Sequence, residues 1–379
     1  MRVLAIFNFI YDDERGATIV AKNHLKLFKL LFGSDLKIIA LPGRIIKDAN
    51  DNIIIKSVNT KIISKIINLF HGNTGRINDK ITKEIIQLIK KDNIDLVYID
   101  DSIFGKLVKR IKKEIPNVIV VTYYHDVKAY LARQWMKKYP HKYLVYKSLI
   151  KNEYLTQQSS DYNLVLNNRE NNMFMKYYHK SASALLPITL SEPNLPFNLE
   201  KYSKKILFVG AYYYPNVEGI KWFIKEVFSK ISDEYSLCIV GNGMEKLNDE
   251  IEKSSRIEVH GRVEDLTEYY INSYCVIGPI YDGGGMKVKT AEAMSYGKVY
   301  VGTSESLEGY LDNNDVKDLL NKYIFLCNSA EDFIDFFNTN KLFKPFEQNI
   351  SQVFKNNYSI DAGKKLFEKI INGGEVNGN

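Results

Sequence analysis

Apolar runs of four to six residues recur along the chain, separated by longer stretches in which apolar positions return every three or four residues. In the first half the runs fall at 3–8, 36–41, 96–100, 118–123 and 163–166. In the second half they fall at 206–210, 237–241, 257–261, 275–279, 299–303 and 323–326. A short continuous apolar run bounded by turn residues reads as a strand buried on both faces, and the longer recurrence as an amphipathic helix. Strand alternating with helix predicts parallel sheets built from βαβ units, and two such series predict two Rossmann-like domains of the α/β class.

Between the series, residues 187–196 carry Pro187, Pro193 and Pro196, three of the nine prolines, with neither helical nor strand periodicity. This is the natural linker, with the boundary near 190–203, an N-terminal domain over 1–190 and a C-terminal domain over 203–358. Residues 361–371 read as a helix, part of a segment of about 359–372 able to pack back on the first domain, and 373–379 as a frayed tail. A length of 379 residues is enough for two cores.

Composition narrows the class. Hydrophobic residues at 45% and charged residues at 26% are an ordinary globular balance. Cys238, Cys275 and Cys327 are far apart in apolar runs, none with a second cysteine or a histidine at metal-ligand spacing, and read as buried and reduced. The N-terminus meets Asp12, Asp13 and Glu14 where a leader's cleavage site should follow, so a cytoplasmic protein is expected. No run reaches the ~18 apolar residues of a membrane-spanning helix, so membrane contact would be peripheral. The net charge of +7 conceals a split: residues 1–195 carry 31 basic and 18 acidic side chains, and the remainder 21 and 27. Such asymmetry points to a polyanionic partner for the first half, whether nucleic acid, an anionic membrane or a phosphorylated substrate.

The segment 278–297 is the richest in chemistry. A strand-like run leads through Pro279 to Gly283, Gly284 and Gly285, then Met286, Lys287 and Lys289, and directly into a helix bearing Glu292. Glycines let backbone approach an anion, a helix N-terminus offers free N–H groups, and lysines add charge: physically, a phosphate cradle. A bare triple glycine is equally compatible with a turn bearing solvated lysines, and the surrounding residues decide the matter. Pro279, Gly283 to Gly285, Lys289-Thr-Ala-Glu292-Ala-Met294, Gly297 and a strand ending at Thr303, then Glu308-Gly309, follow in order. With Gly210, Pro215-Asn216, Gly241, Gly243, His260-Gly-Arg262-Val263 and Asp265-Leu266 upstream, this part of the chain resembles the retaining GT-B glycosyltransferases of family 4.

The resemblance covers 206–309 well and the first half more loosely. It implies the GT-B fold, two Rossmann-like domains whose parallel sheets face an interdomain cleft, with the donor in the C-terminal domain and the acceptor in the N-terminal one. It further implies that Glu292 holds the ribose of a sugar nucleotide, that Arg262 and Val263 flank the base with Gly210, Gly241 and Gly243 close by, and that Gly283 to Met286 with Lys287 or Lys289 hold the diphosphate. Family members often carry a second glutamate eight positions before the helix one, where this chain has Gly284, and related bacterial members with the triple glycine share that change. The usual side-chain contact to the donor sugar is absent, which leaves sugar identity open.

In the first half, His125 and Asp126 end the run 118–123, placing an imidazole beside a carboxylate at a strand end. Family members have a similar His-Asp pair near the transferred sugar and an arginine that Arg133 matches. The resemblance therefore implies donor-sugar positioning or acid–base assistance by His125; a structural hydrogen-bonding histidine is the plain alternative. Gly16, in the turn after the first strand, matches the family's loop where acceptor and donor meet, and is equally an ordinary βα turn. Basic residues concentrate at 106–113 and 128–151, the latter interleaved with Trp135, Tyr139, Tyr143 and Tyr146. That mixture suits an anionic membrane surface and, equally, a solvated helix face. The stretch 62–70 is apolar enough for interfacial contact or for a core helix.

Several classes are excluded or disfavoured. The P-loop, the Gly-x-Gly-x-x-Gly dinucleotide turn after a first strand and the Gly-x-Ser-x-Gly elbow are absent. No Asp-x-Asp pair offers carboxylates to a divalent ion, so no metal or other cofactor is expected. The expectation is a retaining transferase moving a sugar from a nucleotide-diphosphate donor to a glycan or polyprenyl-diphosphate-linked glycan in bacterial surface polysaccharide synthesis. A sugar-nucleotide epimerase of the same plan would need carboxylates near 281–289 that are lacking. A silent scaffold or nucleic-acid binder would have no use for Glu292 and the complete glycine-lysine loop.

Overall fold

The computed structural model describes residues 1–12, 16–43, 46, 53–58, 62–196, 204–252, 254–339 and 341–373. Asp13, Glu14 and Arg15 of the first βα turn, the linker residues 197–203 and the tail from 374 lie outside them. The chain forms two compact units: Met1–Pro187 with the C-terminal residues from Lys364, and Ile188–Gly363.

The first unit is a seven-stranded parallel sheet of β1 (Val3–Phe7), β2 (Leu36–Ala40), β3 (Ile53–Ile55), β4 (Leu96–Ile99), β5 (Ile119–Tyr124), β6 (Tyr162–Val165) and β7 (Ala184–Leu185), in spatial order β3-β2-β1-β4-β5-β6-β7. All seven strands run the same way. The edge strands β3 and β7 were not expected from the apolar pattern, because two or three residues are too few to show a period. Alternation sorts the faces. Leu4, Ile6, Val97 and Ile99 pack with Ile85, Ile89, Leu107 and Ile111 from the helices Asp79–Lys91 and Gly105–Glu114. On the other face, Phe28 of the helix Gly16–Phe32 meets Tyr98 at 4.3 Å and Phe367 of the helix Ile360–Ile371 at 4.9 Å.

The second unit is a six-stranded parallel sheet, β8 (Lys205–Val209), β9 (Ser236–Val240), β10 (Ile257–His260), β11 (Cys275–Gly278), β12 (Tyr300–Gly302) and β13 (Ile324–Leu326), ordered β10-β9-β8-β11-β12-β13. Cys238, Cys275 and Cys327 are free and buried. In each sheet the chain builds outward in one direction, returns to the middle and builds in the other. The reversal lies between β1 and β4 in the first unit and between β8 and β11 in the second. Loops leaving those neighbouring strands diverge and open a crevice at the C-terminal edge, where ligands of such sheets bind.

The helix Tyr214–Glu226 lies directly on the loop that follows β11. Gly219 permits this approach, since a Cβ there would stand 1.9 Å from the carbonyl oxygen of Pro279. Gly219→Ala should destabilise the protein by about 1–3 kcal/mol through overpacking, read as a lower urea midpoint at unchanged slope. An unchanged midpoint would mean that the helix and loop are not in this contact.

Candidate functional site

At the reversal point of the second sheet, the loop after β11 carries the triple glycine. Gly283 has φ +137° and Gly285 φ +60°, backbone that side chains rarely adopt. Met286 is buried beneath them, and the chain enters the helix Val288–Ser295. Lys287 braces this loop: its Nζ donates to Glu305 Oε1 at 2.7 Å and to the carbonyls of Gly284 and Gly285 at 3.3 and 3.2 Å.

Lys289 points the other way, into the crevice. Its Nζ donates to Asn216 Oδ1 at 2.7 Å, sits 4.4 Å over the Phe208 ring, and is close enough to Gly210 that a Cβ there would stand 3.2 Å from it. Burial, reinforced by the neighbouring Lys287 and opposed by Glu292, lowers its pKa from 10.5 to about 7. Glu292, one turn further along, accepts the Tyr270 hydroxyl at 2.9 Å, and burial pushes its carboxyl upward. Tyr270 is held flat against Tyr296, with ring centroids 4.4 Å apart. A desolvated lysine and a desolvated carboxyl, each hydrogen-bonded to a neutral partner, form a site prepared for a ligand that brings both anionic groups and hydroxyls.

The other expected residues of this unit reach the same edge. Gly241 (φ +155°) ends β9 so close to β8 that a Cβ would stand 1.9 Å from the carbonyl oxygen of Gly210, and Gly243 has φ +80°. Arg262 and Val263 follow β10, Arg262 exposed and Val263 half-buried. Asn216, Tyr270 and Glu305 were not named as site residues from sequence. Asn216 stood within a quoted motif, whereas nothing in the pattern distinguishes Tyr270 or Glu305.

The first unit has its own polar centre at the β1/β4 reversal. The carboxylate partner of His125 is Asp100, at the end of β4, and not the adjacent Asp126: His125 Nε2 lies 3.1 Å from Asp100 Oδ2, while Asp126 pairs with Lys128 at 3.1 Å. Successive residues at a strand end point to opposite sides, so a sequence neighbour is poorly placed and the adjoining parallel strand supplies the partner. Asp100 Oδ1 also accepts the Tyr98 hydroxyl at 2.9 Å and lies 3.3 Å from His24 Nδ1. Burial works against the Asp100 charge, but His125 and His24 overcome it and its pKa is lowered. Burial likewise works against the His125 cation, and Asp100 raises its pKa above 6.5. For His24, fully buried, burial outweighs the Asp100 carboxylate and the pKa is lowered. Beside this group Asn8 Nδ2 donates to Asp101 Oδ2 at 2.7 Å, while Asn8 Oδ1 and Asp101 Oδ1 are buried without partners. Two consecutive aspartates at the end of an apolar run were the signal that sequence reading passed over.

Gly16 opens the helix Gly16–Phe32, and the preceding loop is clamped by Arg76, which takes Asp12 in a two-pronged pair at 2.8 and 2.6 Å. Arg133 takes different company: its guanidinium stacks 4.5 Å over Tyr177, in a pocket shared with Lys147, Lys151 and Tyr154. Among the described residues, one trio could hold a metal: Cys238, Glu258 and His260 bring ligand atoms within 4.8 Å across the β9–β10 register, which spacing in sequence had hidden. Glu258 is already bound to Lys205 at 3.0 Å, and burial raises the Cys238 thiol to about 11.

Residues 203–335 match the family described as Glycosyl transferases group 1. A curated relative, an uncharacterized 44.6 kDa protein in the cps region of Klebsiella pneumoniae, is 28% identical over 129 residues, which are 30% of this chain and 33% of that protein. The chain thus spans about a third of the length of the curated relative it matches. The fold is similar to that of the lipopolysaccharide outer core galactosyltransferase WaaB in its apo form, with TM-score 0.67 and 14% identity over 98% of this chain and 99% of that one. It is also similar to Anabaena HepE in complex with UDP, with TM-score 0.70 and 10% identity over 98% and 100%. The architecture is GT-B.

The His125–Asp100 pair makes a prediction with a definite sign. Because the folded pKa of His125 lies above its unfolded value of 6.5, the pairing stabilises fully below about 6.5 and is lost as pH rises through the folded value. In Asp100→Asn the imidazole should titrate below 6.5, seen in its NMR ring-proton shifts, with stability loss of about 1–3 kcal/mol at low pH. A His125 titration unmoved by the substitution would refute the pairing.

Proposed function

We propose that the protein is a glycosyltransferase that takes a sugar from a nucleotide-diphosphate donor held in the second unit. The observation that carries this is the convergence of Lys289, Asn216, Gly210, Glu292 and the triple glycine on the β8/β11 reversal point. In this reading, backbone N–H groups of Gly284 to Met286 and the Lys289 ammonium hold the diphosphate and stabilise the charge that grows on it as the glycosidic bond breaks. Lys287 keeps the loop in shape. Glu292, oriented by Tyr270, accepts from the ribose diol, and Arg262 and Val263 flank the base. UDP and UDP-glucose, bound by HepE, are the first donors to test.

His125, anchored through Nε2 to Asp100, serves the transferred sugar from the first unit, which takes the acceptor. Retention of configuration, with front-face departure and attack, follows from the family resemblance. So does metal independence, which the engagement of Glu305 by Lys287 and of Glu292 by Tyr270 supports. The cps-region relative and WaaB favour a glycan or lipid-linked glycan acceptor in surface polysaccharide assembly at the cytoplasmic face.

Membrane attachment belongs to the same reading. No helix among the described residues is long and apolar enough to cross a membrane. The segment 137–147, however, exposes Tyr139, Tyr143, Leu144 and Val145 among Lys137, Lys138, Lys142 and Lys147. Not every residue of the expected patch takes part. Tyr146 is buried against Trp135, and Lys106, Arg110 and Lys112 are paired with Asp79, Glu114 and Asp161. Ile66, Ile67 and Phe70 are exposed, Phe70 at 80%, so that helix offers an interfacial face as well.

Two measurements test the proposal. UDP should raise the melting temperature, and Lys289→Ala or Glu292→Ala should weaken UDP binding roughly 10- to 100-fold, the worth of a charge-assisted hydrogen bond. Since the Lys289 pKa is lowered to about 7 and a diphosphate favours its cation, binding above that pH should take up a proton. Calorimetry in buffers of different ionisation enthalpy would show the uptake, and Lys289→Ala should abolish it; unchanged affinity in both variants would remove the donor site. In flotation assays, vesicles with anionic lipid should recruit the protein, each lysine in the segment contributing ~1 kcal/mol. Leu144→Glu should reduce that recruitment, and indifference to lipid charge would refute attachment.

A further inference from the structure

Exposed aromatic rings gather at one place in the second unit that the donor reading leaves unused. Tyr214 is 65% exposed and Tyr281 47%. With Trp222 they form the aromatic walls of an open pocket of about 420 Å³, whose polar groups come from Glu218, Asp282 and Asn328. Its walls are the helix Tyr214–Glu226, the loop after β11 and Asn328, two residues beyond β13, all at the C-terminal edge of the sheet. Gly283 to Gly285, Lys287, Lys289, Asn216 and Glu292 are not among its lining residues.

The walls are braced. The Trp222 and Tyr281 rings stand at 76° with centroids 4.8 Å apart, a two-sided aromatic corner, and Trp222 is supported from behind by buried Phe333 at 5.9 Å. Asp282 is oriented by the Gly283 N–H, which donates to its Oδ1 at 2.7 Å. Asn328 is oriented by the Ser304 N–H, which donates to its Oδ1 at 2.8 Å and leaves the amide nitrogen as donor. Exposed rings gathered into one patch are what binding surfaces present, and a pocket of this volume with few polar groups, two of them held in orientation, is of the kind that takes a small ligand.

The chemistry of the lining selects the ligand. Two carboxylates, with no lysine or arginine in the lining, disfavour the anions that the neighbouring cradle attracts. The polar rim disfavours a lipid tail, whose burial would strip water from three polar groups without replacing their hydrogen bonds. A sugar ring satisfies every feature: its C–H face packs on aromatic rings, its hydroxyls donate to carboxylates, and it accepts from an amide. We infer that this pocket is a subsite for a neutral saccharide, holding a segment of glycan beside the loop that carries the triple glycine. The inference rests on the reading of the protein as a sugar-transfer enzyme and adds a place where the glycan is gripped.

The chain has two tryptophans, so Trp135→Phe in the full-length protein leaves Trp222 as the sole tryptophan, read by excitation beyond tyrosine absorption. Maltotetraose, mannotetraose and galactotriose are titrated against it, with UDP binding followed in parallel by calorimetry. At least one saccharide should give a saturable change in Trp222 emission. Tyr281→Ala and Glu218→Gln, both at exposed positions, should each weaken that response about tenfold, a loss of ~1.4 kcal/mol, and leave UDP affinity unchanged. The inference is overturned if no saccharide gives a saturable change at tens of millimolar, if the response survives both substitutions, or if tetramethylammonium saturates the signal where the saccharides do not. A protein that binds saccharide here but fails to bind UDP would refute the donor reading while leaving this site in place.

Discussion

Strands that all run the same way cannot be joined by tight turns; each must be followed by a crossover, and every crossover leaves from the same edge. This constraint organises both units. Because each sheet is built from its middle outward in two directions, one pair of neighbouring strands sends its crossovers to opposite sides, and the backbone parts between them. In the first unit that gap receives Asn8, Asp100, Asp101 and, from the next strand, His125. In the second it receives Gly210, Asn216, the triple glycine and Lys289. The aromatic pocket occupies the same edge, a few residues from the glycine loop.

The groups at these gaps are expensive to keep there. Removing a charge from water costs several kcal/mol unless partners restore what hydration supplied. The two units meet that cost differently. Asp100 is surrounded by Tyr98, His24 and His125, so its pKa is lowered despite burial and it in turn raises that of His125. Lys289 and Glu292 have neutral hydrogen-bond partners, Asn216 and Tyr270, and both pKa values move toward the uncharged form. A completed network of the first kind fixes geometry. An under-compensated pair of the second kind stores a preference for a ligand that supplies the missing charge and hydrogen bonds.

Lys287 shows why position along a motif does not define a role. Two residues from Lys289, and equally basic, it is committed to Glu305 and to two carbonyls of the glycine loop. One lysine shapes the cradle and the other faces its contents. The left-handed backbone at Gly285 and the φ of +137° at Gly283 suit a residue without a side chain, so Gly283 and Gly285 answer to the shape of the loop.

Much of this was readable from the chain alone. The interior strands, the alternation that makes the sheets parallel, and the glycine-lysine segment opening a helix all depend on contacts between residues close in sequence, which leave a periodic trace. The short edge strands β3 and β7 were not picked out from it. Partners were another matter: His125 is held by Asp100, 25 positions away, Lys289 by Asn216, 73 away, and Glu292 by Tyr270, 22 away. The aromatic corner of Trp222 and Tyr281 joins a helix to a loop three strands later in the chain. Sequence determined which residue types stand at strand ends, because that is a matter of local pattern. Which of them touch, and hence which are charged, was decided by the order in which strands lie side by side, and only the folded sheets set that order.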